Sequence, residues 1–197
     1  MIEIIPALHI KHDKMKHIKF TLFAVFQLLI LTGVKAQQSK PAAASNDDRG
    51  YTIKVGDQAP DDFELVLTDG TKTSLKKLRG KIVVLQFTAS WCSVCREEIP
   101  HLENEVWKAF KDKNVVLIGI DRDEPLAKVQ KYHQDMHVTY PFALDPGANI
   151  FGRFADKKSG VTRNVVIDAN GKIIYLTRLY DNNEFNGMVK EIGKLVN

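Results

Sequence analysis

The chain holds two cysteines, and both fall in one run, Trp91-Cys92-Ser93-Val94-Cys95. Two thiols three residues apart can close a small ring, open it and close it again, so the chemistry on offer is disulfide exchange. The pair directly follows an apolar run, Ile82 to Phe87, and opens a stretch with helical periodicity. A thiolate at a helix N-terminus meets unpaired backbone N–H groups and the positive end of the dipole, which lower its pKa toward neutrality. Cys92, first of the pair and nearer to solvent, is the expected attacking thiolate. Cys95, one turn in, is the expected resolving thiol. A plain stabilising bridge is the alternative, but a ring closed across four residues removes only about 2 kcal/mol of chain entropy. A metal site would have Cys92, Cys95 and His101 at hand and would need a fourth ligand from elsewhere. Glu98 lies one turn beyond Cys95 on the same helical face. A carboxylate there raises thiol pKa values when ionised and can relay a proton to the resolving thiol. Glu97 points elsewhere, into solvent. Pro100 falls inside the same predicted helix, deletes a backbone hydrogen bond and is expected to kink the axis.

The elements that position these residues follow from the apolar pattern. Ile82 to Phe87 (IVVLQF) and Val115 to Ile120 (VVLIGI) read as buried strands. Between them Ile99, Leu102, Val106 and Phe110 recur at steps of three and four, the stripe of an amphipathic helix. Strand, helix and buried strand make a βαβ unit with parallel strands and a right-handed crossover. Upstream, Phe63 to Leu67, the turn Asp69-Gly70 and Lys72-Thr73-Ser74 predict a β-hairpin. Downstream, a helix is expected from Pro125 to about Met136, with Asp123 or Glu124 at its N-terminus, and a short one from Ala148 to Phe154. Asn164 to Asp168, the turn Asn170-Gly171 and Lys172 to Arg178 predict a second hairpin. A last helix from Glu184 to Val196 carries Phe185, Met188, Ile192 and Val196 on one face. The fold class is therefore α/β, a mixed central sheet covered on both faces by helices, with an N-terminal hairpin extension.

Of the 197 residues, 44% are hydrophobic and 26% charged, values of a globular chain. Phe20 to Val34 is the longest apolar run, about 15 residues where a membrane-spanning helix needs roughly 20. Lysines precede it and Val34-Lys35-Ala36 follows, the layout of a signal peptide over 1–36 cleaved after Ala36. Met15 reads as the better start, with 1–14 expected to be an upstream misassignment, and an uncleaved anchor is the alternative. No cysteine lies near the cut, which excludes a lipoprotein anchor. The formal charge of +4 belongs largely to this leader: removing five lysines and two acids leaves 23 basic and 22 acidic residues. That balance takes away the hint of nucleic-acid binding. Residues 37–50 lack large apolar side chains and read as a flexible tether, which leaves a domain over 51–197.

The stretch Cys92-Ser93-Val94-Cys95-Arg96-Glu97-Glu98-Ile99-Pro100 resembles the C-x-x-C-x-x-E-x-P motif of the TlpA/ResA-like thiol–disulfide oxidoreductases, a thioredoxin-fold family exported in bacteria. Val55-Gly56-Asp57-Gln58-Ala59-Pro60, the Leu75 to Lys81 segment and Phe87-Thr88-Ala89-Ser90-Trp91 resemble the same family and its peroxiredoxin-like kin. The resemblance runs from about residue 53 to the end. It implies a thioredoxin-like fold, Glu98 as the active-site glutamate and no cofactor beyond the Cys92–Cys95 pair. It implies client contacts through Trp91 and, on the loop opposite, Val161, Thr162 and Arg163. Protein thiols and disulfides are the implied partners, with a membrane electron carrier as donor, a periplasmic location and a reducing role. Thioredoxin's buried Asp six residues before its first Cys is Gln86 here, which cannot exchange protons. Val94 replaces a common Pro, and Thr162 stands where the family has a cis-proline. A cis bond before a non-proline residue costs roughly 2.5–4 kcal/mol, so Val161–Thr162 is expected to be trans. Peroxiredoxins keep an arginine near Arg163, but a thiol peroxidase resembling them wants P-x-x-x-T-x-x-C. Cys92 has Leu85 and Ala89 at those positions and Cys95 has Thr88 and Cys92. Peroxidase and a non-catalytic binding domain remain the alternatives to the oxidoreductase.

Overall fold

Both apolar runs become the centre of a sheet. Ile82–Thr88 forms β3, buried along its whole length, and Val115–Arg122 forms the strand that pairs with it in parallel, Val84 opposite Leu117. The structure, a computed structural model, describes residues 49–196. The expected signal peptide and all but the last two residues of the expected tether lie outside the described residues.

The strands are β1 Leu65–Leu67, β2 Lys72–Thr73, β3, β4 Val115–Arg122, β5 Phe142–Asp145, β6 Arg163–Ile167 and β7 Ile173–Arg178. They form one mixed sheet in the order β2-β1-β5-β4-β3-β6-β7. The predicted βαβ unit and both predicted hairpins are present. Gly70 and Gly171 take φ of 87° and 86° in the hairpin turns, a backbone region that only glycine enters without steric cost. The apolar pattern does not predict β5. This strand is four residues long, follows Pro141 and has no alternation, so nothing local separates it from a connector. It pairs parallel to β4 and antiparallel to β1, and so joins the N-terminal hairpin to the sheet.

The helices are α1 Ser93–His101, α2 Lys108–Phe110, α3 Leu126–Asp135, α4 Phe151–Phe154 and α5 Asn182–Leu195. The predicted stripe from Ile99 to Phe110 is one path through three segments, with a π-helical stretch, Leu102–Trp107, between α1 and α2. Pro100 has no N–H to give the turn before it, and the coil widens directly after it. The short helix expected from Ala148 splits into a 3₁₀ turn, Pro146–Ala148, and α4, which begins where the Asp145 carboxylate accepts the N–H groups of Ile150 and Phe151. Pro125 stands at the N-cap position of α3, directly after Asp123 and Glu124, and no side chain caps the helix.

Strand alternation sorts the core into two layers. Val84 and Val166 face α1, α3 and α5, among Ile99, Leu102, Tyr132, Phe185 and Met188. Val83, Leu85 and Phe87 face the other way, onto Phe151 and Phe154 of α4 and onto Ala59 and Leu75 of the N-terminal segment. Irregular chain therefore shares with one short helix the covering of that second face.

Candidate active site

Cys92 is the N-cap of α1, and its sulfur accepts the N–H of Cys95 at 3.1 Å. Side-chain capping by sulfur directs a helix-terminal N–H at Cys92 Sγ, an arrangement that favours negative charge on that atom. In the structure Cys92 and Cys95 are joined as a disulfide with their Cα atoms 5.3 Å apart. Cys95 is fully buried and Cys92 is 8% exposed, which keeps the first sulfur the more accessible. Beside them Trp91 is 63% exposed, a large aromatic surface adjoining Cys92 in the chain.

The opposing loop comes from the approach to β6. Among the described residues no peptide bond is cis, so Val161–Thr162 is trans. Thr162 Oγ1 lies 3.2 Å from Cys92 Sγ and 3.3 Å from Cys95 Sγ. Disulfide sulfurs have no proton, so the hydroxyl is the donor to both. Val161 and Thr162 are buried, each 2% exposed.

Behind the disulfide lies a buried polar row that strand register creates. Gln86 of β3 is directly opposite Asn164 of β6, which is opposite Thr177 of β7. On its other side Gln86 is opposite Gly119 of β4, and Gly119 is opposite Phe142 of β5. A Cβ at Gly119 would meet the Phe142 ring at 2.6 Å, so glycine there lets the ring fill the row. Above this row α1 places Glu98, 1% exposed. Asn164 Nδ2 donates to Glu98 Oε1 at 2.6 Å and to Thr177 Oγ1 at 2.9 Å, and Tyr140 OH donates to Gln86 Oε1 at 2.7 Å. Burial pushes the Glu98 carboxyl up to about 8, against the amides of Asn164 and Gln86, which favour its ionised form. At neutral pH Glu98 is thus largely a protonated acid beneath the dithiol, able to take and return a proton near the working pH.

Arg163 departs from its expected place on the client surface. It is fully buried; its Nη2 donates to the Arg49 carbonyl at 2.6 Å and to Ser159 Oγ at 2.8 Å, and the guanidinium stacks on Tyr51 at 4.5 Å. Its side chain braces the loop from inside. His101 turns away from the cysteines, with Nδ1 2.7 Å from Glu105 Oε1 and its ring stacked on Tyr180.

Sequence reasoning misses Asn164, Thr177 and Tyr140, and with them a clamp on the residue preceding Trp91. Glu124 Oε2 accepts the Ser90 N–H at 2.5 Å and Oε1 accepts Ser90 Oγ at 2.8 Å, while Arg96 Nε donates to the Ser90 carbonyl at 2.9 Å. Asn164 carries a signal, a polar residue heading the apolar run of a central strand. Tyr140 and Glu124 carry none.

The redoxin family model matches residues 54–195, which include both cysteines, Glu98, the Thr162 loop and the polar row. The chain belongs to the redoxin family. Within it the chain is 31% identical over 153 residues to the thiol-disulfide oxidoreductase ResA of Bacillus cereus, covering 78% of this chain and 84% of that one. Among solved structures it resembles a provisionally assigned protein disulfide isomerase from Bacteroides thetaiotaomicron, with a TM-score of 0.72, 52% identity and coverage of 75% and 92%. A thiol:disulfide interchange protein of the thioredoxin family from Chlorobium tepidum gives a TM-score of 0.60 at 26% identity, with coverage of 72% and 97%. The resemblance carried by the C-x-x-C-x-x-E-x-P stretch is borne out, and with it the thioredoxin-like fold.

Proposed function

We infer that this redoxin is a thiol–disulfide oxidoreductase that exchanges disulfides with protein clients through Cys92 and Cys95. The observation that carries this is the cap geometry: Cys92 Sγ receives the Cys95 N–H and the Thr162 hydroxyl. Reduced Cys92 attacks one sulfur of a client disulfide, forming a Cys92–client bond and releasing a client thiolate. Cys95 then loses its proton and attacks Cys92 Sγ, closing the ring and releasing the second client thiolate. Two electrons pass from the protein dithiol to the client, and two protons end on the client thiols. Glu98, in the fraction that is ionised, serves as the proton acceptor for Cys95, the one step that requires a buried thiol to deprotonate. Resolution therefore quickens as pH rises toward about 8. Trp91 and the Val161–Thr162 backbone supply the surface on which the client segment lies.

The finer reading is a reductant, exported by the 1–36 signal peptide to the periplasm and recharged by a membrane electron carrier. Its support is the ResA likeness and the lysine-flanked apolar run of the leader. A reduction potential near thioredoxin's, about −270 mV, accords with that direction, and one near −120 mV reverses it. Turnover in insulin disulfide reduction tests the core of the reading. Wild type is expected to turn over and Cys92→Ser to be inactive; equal rates contradict an enzymatic role for the pair.

A further inference from the structure

The loop that leads to Thr162 borders, through Ser159 and Gly160, a cleft of about 580 Å³ also lined by Arg49, Asp156, Lys158, Arg178 and Leu179. Register explains its charge. Arg163 of β6 is directly opposite Arg178 of β7, so two guanidinium side chains share one face. Arg163 itself is buried beneath the loop, held by the Arg49 carbonyl, Ser159 and the Tyr51 ring, so Arg178 is the guanidinium of the pair that lines the cleft. Arg178 lies over Gly160, where a Cβ would come within 2.6 Å of its Nη2, and its Nη1 is buried without an acceptor.

Two acids stand against Arg49, Lys158 and Arg178. Both are engaged. Glu184 pairs with Arg49 and accepts the main-chain N–H of Arg178, and Asp156 accepts the main-chain N–H of Lys158. With Arg49 held by Glu184, Lys158 and Arg178 face one acid, Asp156, so the cleft keeps one cation more than acids.

Its position gives it meaning. Leu179 N–H donates to the Thr162 carbonyl at 3.2 Å, and Gly160 is two residues before Thr162, whose hydroxyl touches Cys92. Two residues of extended chain span about 7 Å, so a client strand with its cysteine on Cys92 carries its next few side chains over this cleft. We propose that the cleft is a subsite for an acidic side chain of the client, in which Arg178 and Lys158 bind an aspartate or glutamate carboxylate within four residues of the exchanged cysteine. The proposal rests on the disulfide-exchange reading and adds to it a client class: segments acidic around the disulfide.

The test uses end-capped Gly/Ser peptides with one cysteine, presented as symmetric disulfide dimers, with a single glutamate scanned from four residues before the cysteine to four after. The reduced wild-type domain and its variants reduce each peptide, and the readout is the rate ratio of the glutamate peptide to its glutamine counterpart. The expected result is a gain of about tenfold at one or more positions, cut at least threefold by Arg178→Gln and by the exposed Lys158→Gln, and largely kept by Arg178→Lys. A ratio, unlike a rate, is insensitive to a variant that is only partly folded. A wild-type gain below twofold at every position overturns the subsite, as does a gain that both glutamine variants retain in full. Failure to reduce any peptide, with both thiols titratable, overturns instead the exchange reading beneath it.

Discussion

Replacing Glu98 by glutamine isolates the buried acid that the proposed proton transfer depends on. Glu98 is held up to about 8 by burial, from a reference value of 4.5. The folded state therefore keeps a proton that the unfolded chain gives up above pH 4.5. Wild type loses stability as pH rises from about 4.5 to about 8, at close to 1.36 kcal/mol per pH unit. At pH 7 that accumulates to about 3 kcal/mol, and above pH 8 it levels off near about 5 kcal/mol. The glutamine side chain never ionises, so Glu98→Gln escapes this loss. The variant keeps the oxygen that accepts from Asn164, but brings an amide N–H₂ to the Oε2 side, where no partner waits. That offset, about 1–3 kcal/mol, does not vary with pH. The variant-minus-wild-type stability therefore starts slightly negative at pH 4 and climbs by about 3 kcal/mol toward pH 7. Urea unfolding of both oxidised proteins from pH 4 to 9 measures it. Asp121, also buried and pushed up to about 8, titrates in both proteins and cancels in the difference. A difference that stays flat across this range would falsify the assignment, because Glu98 would then be ionised inside the fold.

Thr162→Val removes the hydroxyl that lies 3.2 Å from Cys92 Sγ while keeping its volume. The reduced variant loses one charge-assisted donor to the thiolate, and iodoacetamide alkylation of Cys92 at pH 7 is expected to slow about threefold to tenfold; an unchanged rate removes Thr162 from the account. Asn164→Ala deletes the amide that favours ionised Glu98, so the pH midpoint of mixed-disulfide resolution moves upward, read by quenched-flow at pH values from 6 to 9. An unmoved midpoint means that Glu98 does not take the Cys95 proton. Glu124→Gln weakens the clamp on Ser90 by removing the charge that holds its N–H and hydroxyl, and thermal unfolding near pH 7 is expected to show a loss of about 1–2 kcal/mol; no loss makes the clamp incidental.

What the sequence discloses and what it withholds divide along local and long-range physics. β3, β4 and the final hairpin are legible because Ile82 to Phe87, Val115 to Ile120 and Asn164 to Asp168 are apolar runs with turn chemistry at their ends. Glu98 is legible because three residues on a helix bring it back to the face of Cys95. The row Gln86–Asn164–Thr177 is not, because it exists only through the register of three strands far apart in sequence. Arg163 is misplaced by sequence for a related reason. An arginine on the loop opposite the cysteines is expected to meet clients, and only the fold brings the Tyr51 ring, the Arg49 carbonyl and Ser159 around it. β5 escapes because four residues after a proline carry too little pattern, although Gly119 opposite Phe142 depends on it.

The central claim is that Cys92 is the attacking sulfur and Cys95 the one that resolves, and trapping tests it most directly. A reduced Cys95→Ser variant, mixed with a disulfide-bonded protein and quenched in acid, is expected to accumulate a covalent adduct that peptide mapping by mass spectrometry places on Cys92. Cys92→Ser is expected to accumulate little or none. An adduct on Cys95 in the Cys92→Ser variant at equal yield, or no adduct in Cys95→Ser, would contradict the account.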